Sequence, residues 1–196
     1  MIFEVVITTV DLNNTPHVAP MGITKKSELI VLKPFKPSLT LSNILSTKIA
    51  ILNISTDVRV FAGCVTGRNK FELKAIEKNK GFRLASPISY SFLSLQRFVD
   101  DDLRPQLLMK EEESWQLNKF RGLNRAQAAV VEASVLVSRL NILPINKILS
   151  EMEYLNIAVS KTAGPKEKLA WSWLEDTIND HVKKIKNLNN EIKQKF

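Results

Sequence analysis

The order of apolar and polar positions changes character twice along the chain. Phe3 to Val10 is dense in β-branched residues and reads as a strand. Asp11 to Thr15 carries Asn13-Asn14, residues that tolerate a left-handed backbone, so a hairpin turn is expected there. Strands over Pro16–Thr24 and Leu29–Leu32 follow, with Lys25-Lys26-Ser27 turning between them, and then a short helix from Thr40 to Thr47. Lys48 to Ser55 is apolar on successive positions, as in a strand covered on both faces. Arg59–Val65 and Lys70–Ala75 read as further strands. Between Ile76 and Pro87 the pattern is mixed and punctuated by Gly81. Ser89–Val99 and Gln106–Lys119 predict a long hairpin or strand pair.

After Gly122 the period becomes helical. Asn124 is a suitable N-cap for a helix to about Leu140. On that helix Gln127, Ser134 and Ser138 form a narrow polar stripe, and Arg125, Glu132 and Arg139 fall opposite, beside Ala129 and Val135. Charges within an apolar face need partners, which predicts an Arg–Glu–Arg ion network; the other reading gives Arg125, at the helix start, a phosphate. Pro144 opens a helix to about Asn156, and Ile157–Ser160 reads as extended. Lys161-Thr162-Ala163-Gly164-Pro165 leads into a long final helix. Its apolar positions Trp171, Leu174, Ile178, His181, Ile185, Leu188 and Ile192 keep heptad spacing and must be covered by the chain itself or by a second subunit. The expectation is an α+β protein: an antiparallel split barrel over residues 1–120, then a helical segment over 121–196 packing on the barrel or on a partner.

An apolar fraction of 44% supports a sizeable core, and no run is long and apolar enough to span a bilayer. Glu4 stands where a signal peptide would be basic, and the lone Cys64 has no internal disulfide partner, so a cytoplasmic protein is expected. Cys64 reads best as a small core residue. The net charge is +8, and the last sixteen residues hold five lysines against Glu191. No aromatics interleave them, so a solvated helix face fits better than a nucleic-acid arm.

The acidic runs Asp100-Asp101-Asp102 and Glu111-Glu112-Glu113 alternate faces on a strand and do not converge on one ion. The chain contains two histidines, His17 and His181, and lacks nucleophile elbows, Walker loops and dinucleotide fingerprints. What remains is ligand-holding chemistry. Pro20-Met21-Gly22 offers an interrupted strand edge that a flat ligand can approach. Ser38, Thr40 and Asn43 cluster at a helix start, where free N–H groups and the dipole favour phosphate. Asn53 is polar within an apolar strand, either satisfied by neighbouring backbone or reaching a ligand.

In combination, Thr8-Thr9-Val10, His17-Val18-Ala19-Pro20-Met21-Gly22, Pro34-Phe35 with Ser38-x-Thr40-x-x-Asn43, Asn124-Arg125-Ala126-Gln127 and Lys161-Thr162-Ala163-Gly164 resemble the FMN-binding split-barrel superfamily of flavin reductase-like proteins, closest to a family of unknown function within it. The resemblance implies FMN as cofactor, a homodimer with the flavin near the subunit boundary, and Ala19, Pro20, Met21, Gly22, Ser38, Thr40 and Asn43 as binding residues. Lys161 and Thr162 match a motif without an assigned role, and their place before a helix would suit an anion. Where many flavin reductases carry Gly-Asp-His, this chain reads Phe61-Ala62-Gly63-Cys64-Val65-Thr66-Gly67-Arg68, so use of NAD(P)H is not implied. Any oxidoreductase activity would rest on the flavin, with substrate unspecified. The alternatives are a barrel that binds nucleic acid or a scaffold acting through its terminal helix.

Overall fold

The structure, a computed structural model, describes residues 1–77 and 80–194. The chain divides into two compact units: Met1–Thr56 with Asn69–Arg121, and Asp57–Arg68 with the chain from Gly122 onward.

The first unit is a closed antiparallel barrel in the order β1-β2-β3-β8-β7-β4. Its strands are β1 (Phe3–Val10), β2 (Pro16–Lys26), β3 (Leu29–Leu32), β4 (Ile49–Ile54), β7 (Ser89–Val99) and β8 (Gln106–Gln116). The β1–β2 hairpin turns where Asn14 takes a left-handed φ of 62°, with the Asp11 carboxylate accepting the Asn13 and Thr15 N–H groups. Inward-facing Val5, Ile7, Ile23, Leu52, Leu93 and Met109 fill the barrel. Helix α1 (Leu39–Thr47) packs on β1 and β2 and contributes Leu41 and Ile44 to the same core. A two-stranded sheet, β5 (Leu73–Ala75) with β6 (Phe82–Leu84), lies against β1 and β4. Of the expected Lys70–Ala75 strand, the last three residues are extended.

Each carboxylate of the two acidic runs that hydrogen-bonds does so separately. Asp100 pairs with Lys36 at 2.9 Å, and Asp101 accepts the Leu103 and Arg104 N–H groups. Glu111 accepts from Ser91, Glu112 from Ser94 and Lys110, and Glu113 pairs with Lys80. Register shifts between Phe92 and Leu93 and between Leu95 and Arg97 re-aim side chains on this hairpin.

The second unit is helical: α2 (Arg59–Val65), α3 (Arg125–Val137), α4 (Ile145–Thr162) and α5 (Pro165–Gln194). Three expectations are corrected here. Arg59–Val65 is a helix, because Val58 and Ala62, one turn apart, reach the helical core, and packing overrides the strand preference of its valines. Ile157–Ser160 continues α4, because the stripe Ile148, Met152, Leu155, Val159 keeps its helical period through it. On α3 the buried face is Ala126, Ala129, Val130, Ala133 and Val137, and Ser134 lies within it, donating to the Val130 carbonyl. Arg125, Glu132 and Arg139 are exposed, and among the described residues no ion pair joins them. The expected network is absent because water, not an apolar face, solvates these charges. On α5, Trp171, Leu174 and Ile178 are buried and His181 is half-buried. The side chains of Leu188 and Ile192 lie outside the described residues. Among the described residues no helix is long and apolar enough to cross a membrane.

Candidate functional site

The barrel unit gathers the opening motifs at one end. Ser38 takes an extended backbone and caps α1, its hydroxyl accepting the Leu41 N–H at 3.3 Å. This leaves the N–H groups of Leu39 and Thr40 unpaired among the described residues, at the positive end of the helix dipole. Thr40 and Asn43, three residues apart, share a face and are buried against the barrel. The Asn43 amide donates to Thr9 Oγ1 at 3.0 Å. Among the described residues no hydrogen bond engages the Thr40 hydroxyl or the Asn43 side-chain carbonyl.

Thr9 pairs in register with His17, which places the imidazole on the sheet face that Thr9 turns to α1. His17 is half-buried, and desolvation pushes its pKa down, favouring the neutral ring. The Thr9–His17 pairing was readable from the hairpin: once Asp11–Thr15 forms the turn, Val10 meets Pro16 and Thr9 meets His17. The loop entering α1 is held by Lys36, whose N–H bonds the Leu103 carbonyl, and by the Arg104 guanidinium over the Phe35 ring at 4.6 Å.

From this end β2 runs past Ala19, Pro20, Met21 and Gly22. All four pair with β1, but the β3 ladder begins only at Ile23, so among the described residues Ala19–Gly22 have no ladder partner on that edge. Pro20 costs no hydrogen bond in such a place. Met21 turns inward onto the core, and at Gly22 an added Cβ would lie 2.9 Å from the Ile2 methyl. The missing side chain at Gly22 therefore makes room for Ile2 across the β1–β2 pair.

Asn53 is wholly buried on the outer face of β4. Its amide donates to Thr8 Oγ1 at 2.9 Å and the Val6 carbonyl at 3.2 Å, while its Oδ1 accepts the Leu84 N–H at 2.9 Å. Both ends of the side chain are thus engaged in joining β6 to the barrel wall, the backbone-satisfied alternative.

The remaining candidates belong to the helical unit. Asn124 caps α3, accepting the Gln127 N–H, and its amide donates to the Thr162 carbonyl at 3.0 Å. Thr162 Oγ1 accepts the Ala126 N–H at 3.0 Å, tying the end of α4 to the start of α3. Buried Glu167 accepts the Gly164 N–H and the Gln127 amide, capping the start of α5 from its first turn. The two later motifs therefore fold together as one helix-end junction. Arg125 and Lys161 are exposed at its rim. Nearby, Asp57 is paired with Arg59 at 2.5 Å and with Lys166 at 3.4 Å. Cys64 is largely buried, and desolvation pushes its thiol up to about 12.

Known proteins place this architecture. The profile for the N-terminal domain of "Protein of unknown function (DUF447)" matches residues 3–132, and a second profile of the same description matches residues 124–176. Among solved structures, the FMN-bound protein MM1853 of Methanosarcina mazei is similar with a TM-score of 0.76 at 23% identity, over 90% of this chain and 94% of that one. A putative flavin reductase with a split barrel domain from Shewanella frigidimarina gives a TM-score of 0.53 at 9% identity, over 59% and 67% of the two chains. An FMN-binding protein from Thermus thermophilus with bound 1-cyclohex-2-enone gives 0.50 at 10% identity, over 58% and 69%. These likenesses establish the split-barrel fold. No curated protein matches the chain.

Proposed function

The chain belongs to the DUF447 family, and we propose that it is an FMN-binding flavoprotein that receives the flavin phosphate at the start of α1. The observation that carries this reading is the set of unengaged groups at one end of the barrel unit. These are the Leu39 and Thr40 N–H groups, the Thr40 hydroxyl and the Asn43 side-chain carbonyl, on a helix that packs on β1 and on β2, the strand whose Ala19–Gly22 edge pairs with β1 alone among the described residues. Donors at a helix start suit a phosphate, and an exposed strand edge suits the polar rim of a flat ring. The FMN-bound state of the similar Methanosarcina mazei protein supports the same choice of cofactor.

In this reading Ser38 keeps the first turn of α1 in shape through its cap, and Thr40 and Asn43 contact the ligand. Asn43 is held in place by Thr9. Ala19 to Gly22 offer backbone groups to the ring edge. Bound flavin would supply one- or two-electron transfer, and the protein would supply binding and orientation. The reading extends to an oxidoreductase acting on a small molecule, and to a homodimer, as the split-barrel resemblance implies.

The test is a titration of the purified chain with FMN and with riboflavin, followed by flavin fluorescence. The expected result is saturable one-to-one binding of FMN, with riboflavin weaker by about tenfold or more because it lacks the phosphate. Thr40→Val should weaken FMN and leave riboflavin nearly unchanged. Equal affinity for both flavins would refute the phosphate anchor, and no binding of either would refute the function.

A further inference from the structure

We propose that His17 is the residue through which this site distinguishes a phosphorylated flavin from its unphosphorylated form. The inference rests on the FMN reading and deepens it. Its basis is register: Thr9 turns its hydroxyl to Asn43 on α1, and His17 is the direct cross-strand partner of Thr9. Directly paired residues in an antiparallel ladder place their Cβ atoms about 5 Å apart on one face. The imidazole therefore lies on the same sheet face as Thr9, the face turned to Asn43 of α1, whose buried side also carries Thr40.

Among the described residues, His17 is the ionisable side chain that the register of β1 and β2 places on this face. Helix α1 (Leu39–Thr47) and strand β3 (Leu29–Leu32) contain none, and β1 contains only Glu4. Glu4 pairs with Gly22, five positions further along β2, and Lys25 and Lys26 lie beyond it. At the flanks, Asp11 is spent on its own turn, Lys36 on Asp100, Lys48 on the Leu45 carbonyl, and Arg104 on the Phe35 ring and the Lys33 carbonyl. Lys33 stands in the loop after β3.

A half-buried, neutral imidazole among neutral partners imposes little charge on an uncharged ligand. Against a phosphate it takes up one proton from solution and becomes a charge-assisted donor, so binding and protonation are linked. Affinity for the phosphorylated ligand then rises as pH falls through the imidazole range, and affinity for the unphosphorylated one does not.

The experiment compares the full chain with His17→Gln and His17→Asn, measuring FMN and riboflavin dissociation constants at about pH 6 and about pH 8. The phosphate's own second ionisation, near about pH 6, affects all three proteins alike, so the ratio of variant to parent isolates the imidazole. The expected result is an FMN ratio of about tenfold at the lower pH that shrinks at the higher pH, with riboflavin ratios near unity throughout. FMN ratios near unity at both pH values, or riboflavin losing as much as FMN, would overturn the role of His17 and leave flavin binding intact. Failure of the parent chain to bind either flavin would instead overturn the function on which the inference rests.

Discussion

Replacing Asn53 separates a wall-building role from a ligand-binding one. Asn53→Ala removes the donation to Thr8 Oγ1 at 2.9 Å and to the Val6 carbonyl at 3.2 Å, and it strands the Leu84 N–H that Oδ1 accepts at 2.9 Å. Each lost bond costs about 1 kcal/mol, and a buried N–H left unpaired adds about 1 kcal/mol more, so the barrel unit should lose about 3–4 kcal/mol. With a urea slope of about 1.5 kcal/mol/M, the midpoint should fall by about 2 M. Trp115 belongs to the barrel unit and stacks on Tyr90 at 4.7 Å, whereas Trp171 and Trp173 belong to the helical unit. Urea unfolding followed by Trp115 fluorescence in a Trp171→Phe, Trp173→Phe background therefore reports the barrel alone. A midpoint lowered by less than about 0.5 M would refute the structural account of Asn53. Loss of flavin affinity at an unchanged midpoint would refute it too, and would make Asn53 a ligand contact.

Other expectations follow from the helical unit. Thr162→Val removes the acceptor of the Ala126 N–H and should destabilise this unit by about 1–2 kcal/mol in chemical denaturation, without altering flavin binding. An unchanged midpoint would show that the junction of α3 and α4 does not depend on this hydroxyl. Burial alone would raise the Asp57 carboxyl pKa, but Arg59 and Lys166 outweigh it and hold the group below its usual range. Its stabilisation is therefore complete above the unfolded pKa of about 4 and is lost as pH falls through the lower folded value. Asp57→Asn should lower the melting temperature near neutrality and flatten its decline below about pH 4; parallel acid limbs in parent and variant would contradict this. With its thiol pushed up to about 12, Cys64 should resist an aromatic disulfide reagent near about pH 8 in the folded chain and react promptly in urea. Stoichiometric labelling of the native protein within minutes would count against its burial.

The barrel was largely legible in the sequence because its signals are local. The β-branched run of β1, the Asn-bearing turn and the doubly covered pattern of β4 each fix an element without reference to distant residues. The helix start at Ser38 and Thr40 was legible for the same reason. The misread stretches depend on tertiary context. Arg59–Val65 carries strand-like valines, yet it folds as a helix because Val58 and Ala62 meet the helical core, a partner far along the chain. The ion network expected on α3 placed Arg125, Glu132 and Arg139 within an apolar face beside Ala129 and Val135. The helices instead approach through alanines, and a serine can join that face once it bonds its own backbone. Asn53 and Thr162 share a further lesson: each was a candidate ligand contact, and each has a partner within its own unit that the sequence did not reveal. The partners that occupy them, Leu84 and Ala126, are set by folding rather than by spacing.

A crystal of the chain soaked with FMN tests the central claim most directly. The account predicts density for the phosphate at the first turn of α1, within hydrogen-bond reach of Thr40, and for the ring against Ala19–Gly22. Flavin held elsewhere on the chain, or no flavin at the start of α1 in crystals whose solution counterpart binds FMN, would contradict it.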